Sequence, residues 1–162
     1  MTTTITGATG VNQITDDAIT VAKLPAGAVL QVVYGNTNTS TQSTSSTYAD
    51  TGLTATITPT SASSKILVLV SQNGLRKESA NTYVGVRLHR GSSSIGQITL
   101  SAGYNEVSQT ASDACSWSVL DTPSTTSATT YKTVFNNGES SGTVSIQVNS
   151  VYSTITLMEI AQ

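Results

Sequence analysis

His89 is the chain's only histidine and Cys115 its only cysteine, so proton-relay or thiol chemistry would have to run through these two positions. Alternation in the segment Tyr83 to Arg90 sends Val84, Val86 and Leu88 to one face and Tyr83, Arg87 and His89 to the other. A histidine base also needs a nucleophile and an orienting acid beside it. Ser and Thr make up about a third of the residues, so no single hydroxyl stands out as that nucleophile. His89 is therefore expected at the surface or at a subunit contact. Cys115, on the expected face of Trp117, reads as a small buried thiol with no base beside it.

The acids are no more concentrated. A glycosidase needs two carboxyl groups placed across one bond. Asp16 and Asp17 lie near the start, and Asp50, Glu78, Glu106, Asp113, Asp121 and Glu139 fall in or beside expected loops. Glu159 is the odd one, set between Met158 and Ile160 in an apolar strand. If buried it needs a partner, such as an arginine of its own or a neighbouring subunit. Gly7-Ala8-Thr9-Gly10 lacks the Gly-Lys-Ser/Thr ending of a phosphate loop, and no Asp-x-Asp-x-Asp-Gly calcium loop occurs. One thiol builds neither a disulfide within the subunit nor a cysteine-based zinc site. The reading is of a non-enzymatic protein with no cofactor and no metal. Tyr83, Tyr104, Tyr131 and Trp117 could stack on sugars, although aromatic residues are only 5% of the chain.

The elements that would hold these side chains are almost all strands. Residues 1 to 26 form an exception, expected as an anchoring arm. Thr15 can cap a two-turn helix whose Ile14, Ala18, Ile19 and Ala22 share a face, with Leu24 following and Pro25 ending it. Strands are expected over Ala28–Tyr34, Thr54–Thr58, Lys65–Ser71, Tyr83–Arg90, Ser94–Leu100, Cys115–Leu120, Tyr131–Phe135, Thr143–Val148 and Ser153–Ile160. Ile66 to Val70 is a continuous apolar run, the pattern of a strand buried on both faces. Asn36 to Ser46 and Thr122 to Thr130 read as polar loops, and Asn136-Asn137-Gly138 as a turn. The expected fold is all-β, an antiparallel two-sheet jelly-roll sandwich over residues 27 to 162.

Composition sets the partners. Only 10% of residues are charged and the net charge is -2, a field too weak and of the wrong sign to recruit nucleic acid or an anionic membrane. The close basic pairs, Arg76-Lys77 and Arg87 with Arg90, read as surface or interface features. The start carries neither a basic region nor an apolar run of the secretory kind, which leads us to expect synthesis in a cytosol. A hydrophobic share of 37% is lean, so association between copies is expected to complete the core. The candidate subunit-interface residues are Tyr83, Arg87, His89, Trp117, Tyr131 and Glu159.

Several segments together carry a family resemblance. Gly10-Val11-Asn12-Gln13-Ile14-Thr15-Asp16-Asp17-Ala18-Ile19-Thr20, running into Ala22-Lys23-Leu24-Pro25-Ala26-Gly27, resembles segments of tailed-phage virion proteins, notably tail fibres of cyanophages and other marine phages. So do Thr58-Pro59-Thr60-Ser61-Ala62-Ser63-Ser64-Lys65, with the apolar run behind it, and the ending Ser153 to Ala161. The resemblance implies a homotrimeric jelly roll of the tumour-necrosis-factor and complement-globular-head type, with an aromatic sheet face on the threefold axis and no enzymatic site. It implies a place on the particle exterior, with other virion proteins, the major capsid protein first among them, as partners. The chain departs from a tail fibre in having no long shaft before the jelly roll. That favours a capsid decoration (cement) protein. The alternative is the receptor-binding knob of a short tail fibre, contacting host surface glycan.

Overall fold

The computed structural model describes residues 23–139 and 142–162. Its strands are β1 (Val29–Thr37), β2 (Thr41–Ser43), β3 (Ala49–Ile57), β4 (Lys65–Lys77), β5 (Val84–Arg90), β6 (Ser93–Ala102), β7 (Ala111–Asp121), β8 (Thr129–Asn137), β9 (Val144–Ile146) and β10 (Ser153–Ile160). One sheet runs β1-β10-β4-β7, with β9 and β2 continuing beside the far half of β4. The other runs β3-β8-β5-β6. All pairings are antiparallel, and they are nested: β5 with β6, β4 with β7, β3 with β8, β2 with β9, β1 with β10. A long hairpin folded over on itself in this way is a jelly-roll sandwich.

Alternation builds the interior. Val84, Val86 and Leu88 of β5, and Ile66, Val68 and Val70 of β4, are buried between the sheets. Cys115, Trp117 and Val119 of β7 point the same way, packed against this core. The apolar interior falls into two clusters, one around Leu53, Ile57, Val68 and Tyr131, the other around Leu75, Val86, Phe135 and Ile146. Buried polar side chains lie with them. Gln72 donates from Nε2 to the Ser153 hydroxyl at 3.0 Å and accepts from the Thr133 hydroxyl at 2.8 Å. The Gln72–Thr133 bond ties the two sheets at one register, and within the second sheet Thr133 shares a hydroxyl contact of 2.6 Å with Thr51.

Four expectations change. The Asn36–Ser46 loop contains β2, which Thr41, Gln42 and Ser43 form by pairing with β9. Asn136 and Asn137 end β8 rather than turning the chain: the Asn136 side chain donates to the Ser46 carbonyl and the Asn137 backbone N–H to the Ser45 carbonyl. The expected Thr143–Val148 strand is shortened to β9, because Gln147 and Asn149 take left-handed conformations and a 3-10 turn follows. Last, β4 is not covered on both faces. Leu67 is half-buried and Leu69 exposed, because among the described residues no third layer lies over the β1-β10-β4-β7 sheet.

The long strand β4 bends at Gly74, where the register shifts between Gln72 and Leu75 and φ is +62°. A Cβ there would press on Val151 and on the backbone nitrogen of Val148. Gly74→Ala is expected to cost at least about 2 kcal/mol from the left-handed backbone and the overlap combined, read as a lower urea midpoint. An unchanged midpoint would show that the bend relaxes freely.

Candidate functional site

The sandwich leaves two broad outer faces of opposite character. On the β1-β10-β4-β7 sheet, cross-strand register lines up side chains in rows. Val32, Met158, Leu67 and Leu120 sit opposite one another in sequence across all four strands. The next row is Tyr34, Thr156, Leu69 and Ser118, and the third Asn36, Thr154, Ser71 and Ser116. The face thus grades from apolar near the chain ends to hydroxyl and amide at the far end. Val32 is 56% exposed, Tyr34 60% and Leu120 50%. Contiguous apolar rows of this kind on a soluble domain mark an association surface.

The segment leading into β1 and the C-terminus meet at the apolar margin of this face. The Gly27 N–H donates to the Ala161 carbonyl at 2.9 Å, and the Ala161 N–H to the Ala28 carbonyl at 2.9 Å. Leu24, with Leu30, Ser61, Ser63, Ser64, Ala161 and Gln162, lines a half-open depression of about 380 Å³ at that corner. Of the candidate anchoring residues, Leu24 is therefore at the surface. Ile14, Ala18, Ile19 and Ala22 lie outside the described residues, as does the expected helix.

Glu159 sits just inside the same corner and is fully buried. Its Oε1 accepts from the Thr60 N–H at 2.7 Å and the Thr60 hydroxyl at 2.8 Å, and its Oε2 from the Gln31 side-chain amide at 2.6 Å. Burial on its own would raise the carboxyl's pKa. The hydrogen bonds from Gln31, Ser64 and Thr60 outweigh burial and hold it below the ordinary 4.5. The expected arginine partner is thus replaced by neutral donors from the same subunit. This carboxylate fastens the Thr58–Ser64 connection between β3 and β4 to the last strand.

The remaining candidate interface residues divide. Tyr131 is fully buried, and its hydroxyl donates to Asp121 at 2.6 Å. Asp121 also takes the Arg90 guanidinium at 2.7 Å. Burial first, and then the Asp121 carboxylate, push the Tyr131 phenol above its ordinary range. Trp117 lies inward, its ring filling the space left by Gly96, where any Cβ would overlap it. Tyr131, Trp117 and Glu159 thus serve the subunit's own interior, and among the described residues Tyr34 is the aromatic side chain in the outward rows of the β1-β10-β4-β7 sheet. Tyr83 packs edge-on against Tyr104, with ring centroids 6.2 Å apart.

Arg87 and His89 stay partly exposed, but on the opposite sheet, facing out from β5. The Arg87 and Arg90 pair is split, since Arg90 turns to Asp121 while Arg87 lies over the Tyr48 ring, 4.1 Å from its centroid. Cys115 has its pKa pushed up to about 12 by burial, with Asp113 adding to it, so the thiol stays protonated at neutral pH. Lys77 is fully buried without a carboxylate partner. Its ammonium is held by the Ser79 carbonyl at 3.0 Å, the Val107 carbonyl at 3.1 Å and the Asn105 side-chain oxygen, pinning the β6–β7 loop to β4. No simple sequence pattern marks this ammonium cradle, because two of its three oxygens come from a loop about thirty residues away along the chain.

Among the described residues no helix is long and apolar enough to cross a membrane. No protein-family model and no curated protein matches the chain.

Proposed function

We propose that this chain is a non-enzymatic structural protein of a tailed-phage virion, assembled as a homotrimer and displayed on the capsid exterior as a decoration protein. The observation that carries the assembly is β4. Residues Ile66 to Val70 are apolar without interruption, as in a strand covered on both sides, yet the described residues cover only one side. A second copy supplies the missing layer. Burial of Val32, Tyr34, Leu67, Leu69, Leu120 and Met158 at about 1 kcal/mol each supplies about 6 kcal/mol per subunit toward the entropy cost of closing a ring. The virion assignment is supported by the resemblance of the Thr58–Lys65 connection and the two chain ends to phage modules. Residues 1 to 26, which leave the domain beside Leu24 and the C-terminus, act as the anchor to neighbouring capsomers.

The test is a mass measurement of the free protein together with copy counting on intact particles. The reading requires a species of three times 16.7 kDa and a copy number on the scale of the capsomers. Deleting residues 2 to 24 is expected to leave trimers intact and strip the protein from particles. Truncated protein retained on capsids would remove the anchor role. A second reading, a tail-fibre knob, is favoured by the polar outer face of β3-β8-β5-β6, which points away from the assembly face. It requires copies on the scale of the tail's few fibres.

A further inference from the structure

The outer face of the β3-β8-β5-β6 sheet gathers basic side chains that the subunit leaves partly unused. Arg87 and His89 are neighbours on β5, and His89 stands directly opposite Lys132 of β8. The chain has only seven Lys and Arg and one His, so three in one patch is a concentration. Like charges placed opposite each other across strands weaken a sheet, and nothing in the fold requires them here.

Their geometry is prepared. The Arg87 Nε donates to Gln97 Oε1 at 2.7 Å, and the guanidinium plane is steadied by the Tyr48 ring. Among the described residues its two terminal nitrogens have no acceptor, and neither ring nitrogen of His89 has a partner. Among the described residues the sole carboxylate at the patch is Asp50, which takes Lys132 at 2.6 Å and is itself well exposed. Beside Lys132 a depression of about 150 Å³ opens, lined by Asp50, Gly52, Leu53, Thr54, Lys132 and Thr133. The rim is hydroxyl and amide: Thr54 opposite Lys132, Ser94 opposite His89, and Gln97 opposite Arg87.

We infer that this face binds an acidic saccharide, with the sugar's carboxylate or sulfate bridging Arg87 and His89 beside Lys132, and its hydroxyls meeting the Thr54 and Ser94 rim. A forked guanidinium suits a planar or tetrahedral oxyanion. Polyphosphate chains fit less well, because three cations on a protein of net charge -2 neutralise too few phosphates. The inference goes beyond the assembly reading and holds for a single subunit. His89 has its pKa lowered from 6.5, first by partial burial, then by Lys132 and by Arg87, with Asp50 opposing. A bound anion reverses the cationic effect, so binding takes up a proton and strengthens as the pH falls.

Because His89 is the only histidine, its ring signals in an NMR titration report the site alone. Trigalacturonate and sulfated maltotriose are the charged probes, and maltotriose the neutral control. One or both charged sugars are expected to shift the His89 signals and raise the imidazole titration midpoint, and which of them does so distinguishes carboxylate from sulfate. Arg87→Gln and Lys132→Gln are each expected to weaken binding at least about tenfold, while Arg76→Gln, paired with Glu78 elsewhere, leaves it unchanged. If Arg87→Gln unsettles the Tyr48 contact, Lys132→Gln carries the comparison. Absence of any response to charged sugars at millimolar concentration would overturn the inference. So would an equal response to maltotriose, or tighter binding of a single-stranded oligonucleotide.

Discussion

Replacing Leu69 and Leu120 together by aspartate is expected to turn the proposed trimer into a folded monomer of 16.7 kDa. Leu69 lies at the centre of the outward rows, opposite Ser118 on one side and Thr156 on the other, and Leu120 sits opposite Leu67. In the free subunit both new carboxylates are in water. The cost to the fold is then the loss of β propensity, on the order of 1 kcal/mol. In an assembly each would be buried without a cation, since the nearest basic side chain on this face is Lys65 at its apolar end. Burying an unpaired carboxylate costs several kcal/mol, and a closed ring repeats that cost at each contact. The concentration for half-assembly should rise by at least about a thousandfold. Sedimentation velocity reads the mass, and far-ultraviolet circular dichroism reads the fold. A variant that stays trimeric would show that the apolar rows are not the contact. A wild-type protein that sediments as a monomer at micromolar concentration would remove the assembly reading altogether.

The second large effect is expected at Glu159. Glu159→Ala leaves the Thr60 N–H, the Thr60 hydroxyl and the Gln31 amide facing a cavity, and should destabilise the subunit by about 3 kcal/mol or more. Glu159→Gln is much milder, on the order of 1 kcal/mol, because its carbonyl still accepts both Thr60 bonds. Its new amide meets the Gln31 amide, which must rotate and give up its 2.8 Å bond to the Thr58 carbonyl. The pair also separates charge from shape. The carboxyl's pKa is lower folded than unfolded, so its contribution is present above 4.5 and fades as the pH falls through the folded value. Thermal midpoints of the wild type should therefore fall on acidification more steeply than those of Glu159→Gln. Parallel pH profiles would show that the carboxylate is not ionised in the native state. Loss of the Thr58–Ser64 clasp should also loosen the corner beside Leu24, where the depression opens.

The strands and their inward faces were legible because alternation is local: Val84, Val86 and Leu88 declare themselves within five residues. The run Ile66 to Val70 was legible too, though its meaning changed. It announced two covered faces, and the described residues provide one. What stayed hidden depends on contacts distant in sequence. Glu159 stands out as an acid among apolar neighbours, but its partner Thr60 is 99 residues away. Periodicity groups Trp117 with Cys115 and Val119 without saying that their shared face is the interior. Tyr131 reads as a surface ring until Asp121 is placed at its hydroxyl. The basic patch was half visible. Arg87 and His89 share a face from spacing alone, whereas Lys132 joins them only through the β5–β8 register.

The nested order of the strands also governs how the chain reaches this state. The β5–β6 hairpin is the one short-range closure, and each successive pair encloses it from farther out along the sequence. Closing such long loops is slow. During synthesis β4 has emptied from the ribosome long before β10, the strand that flanks it for most of its length. An apolar ribbon with one edge unpaired, even once β7 has joined its other edge, is thus exposed for the whole interval, so productive maturation, rather than final durability, is where this sequence is most vulnerable to clumping and most dependent on folding helpers.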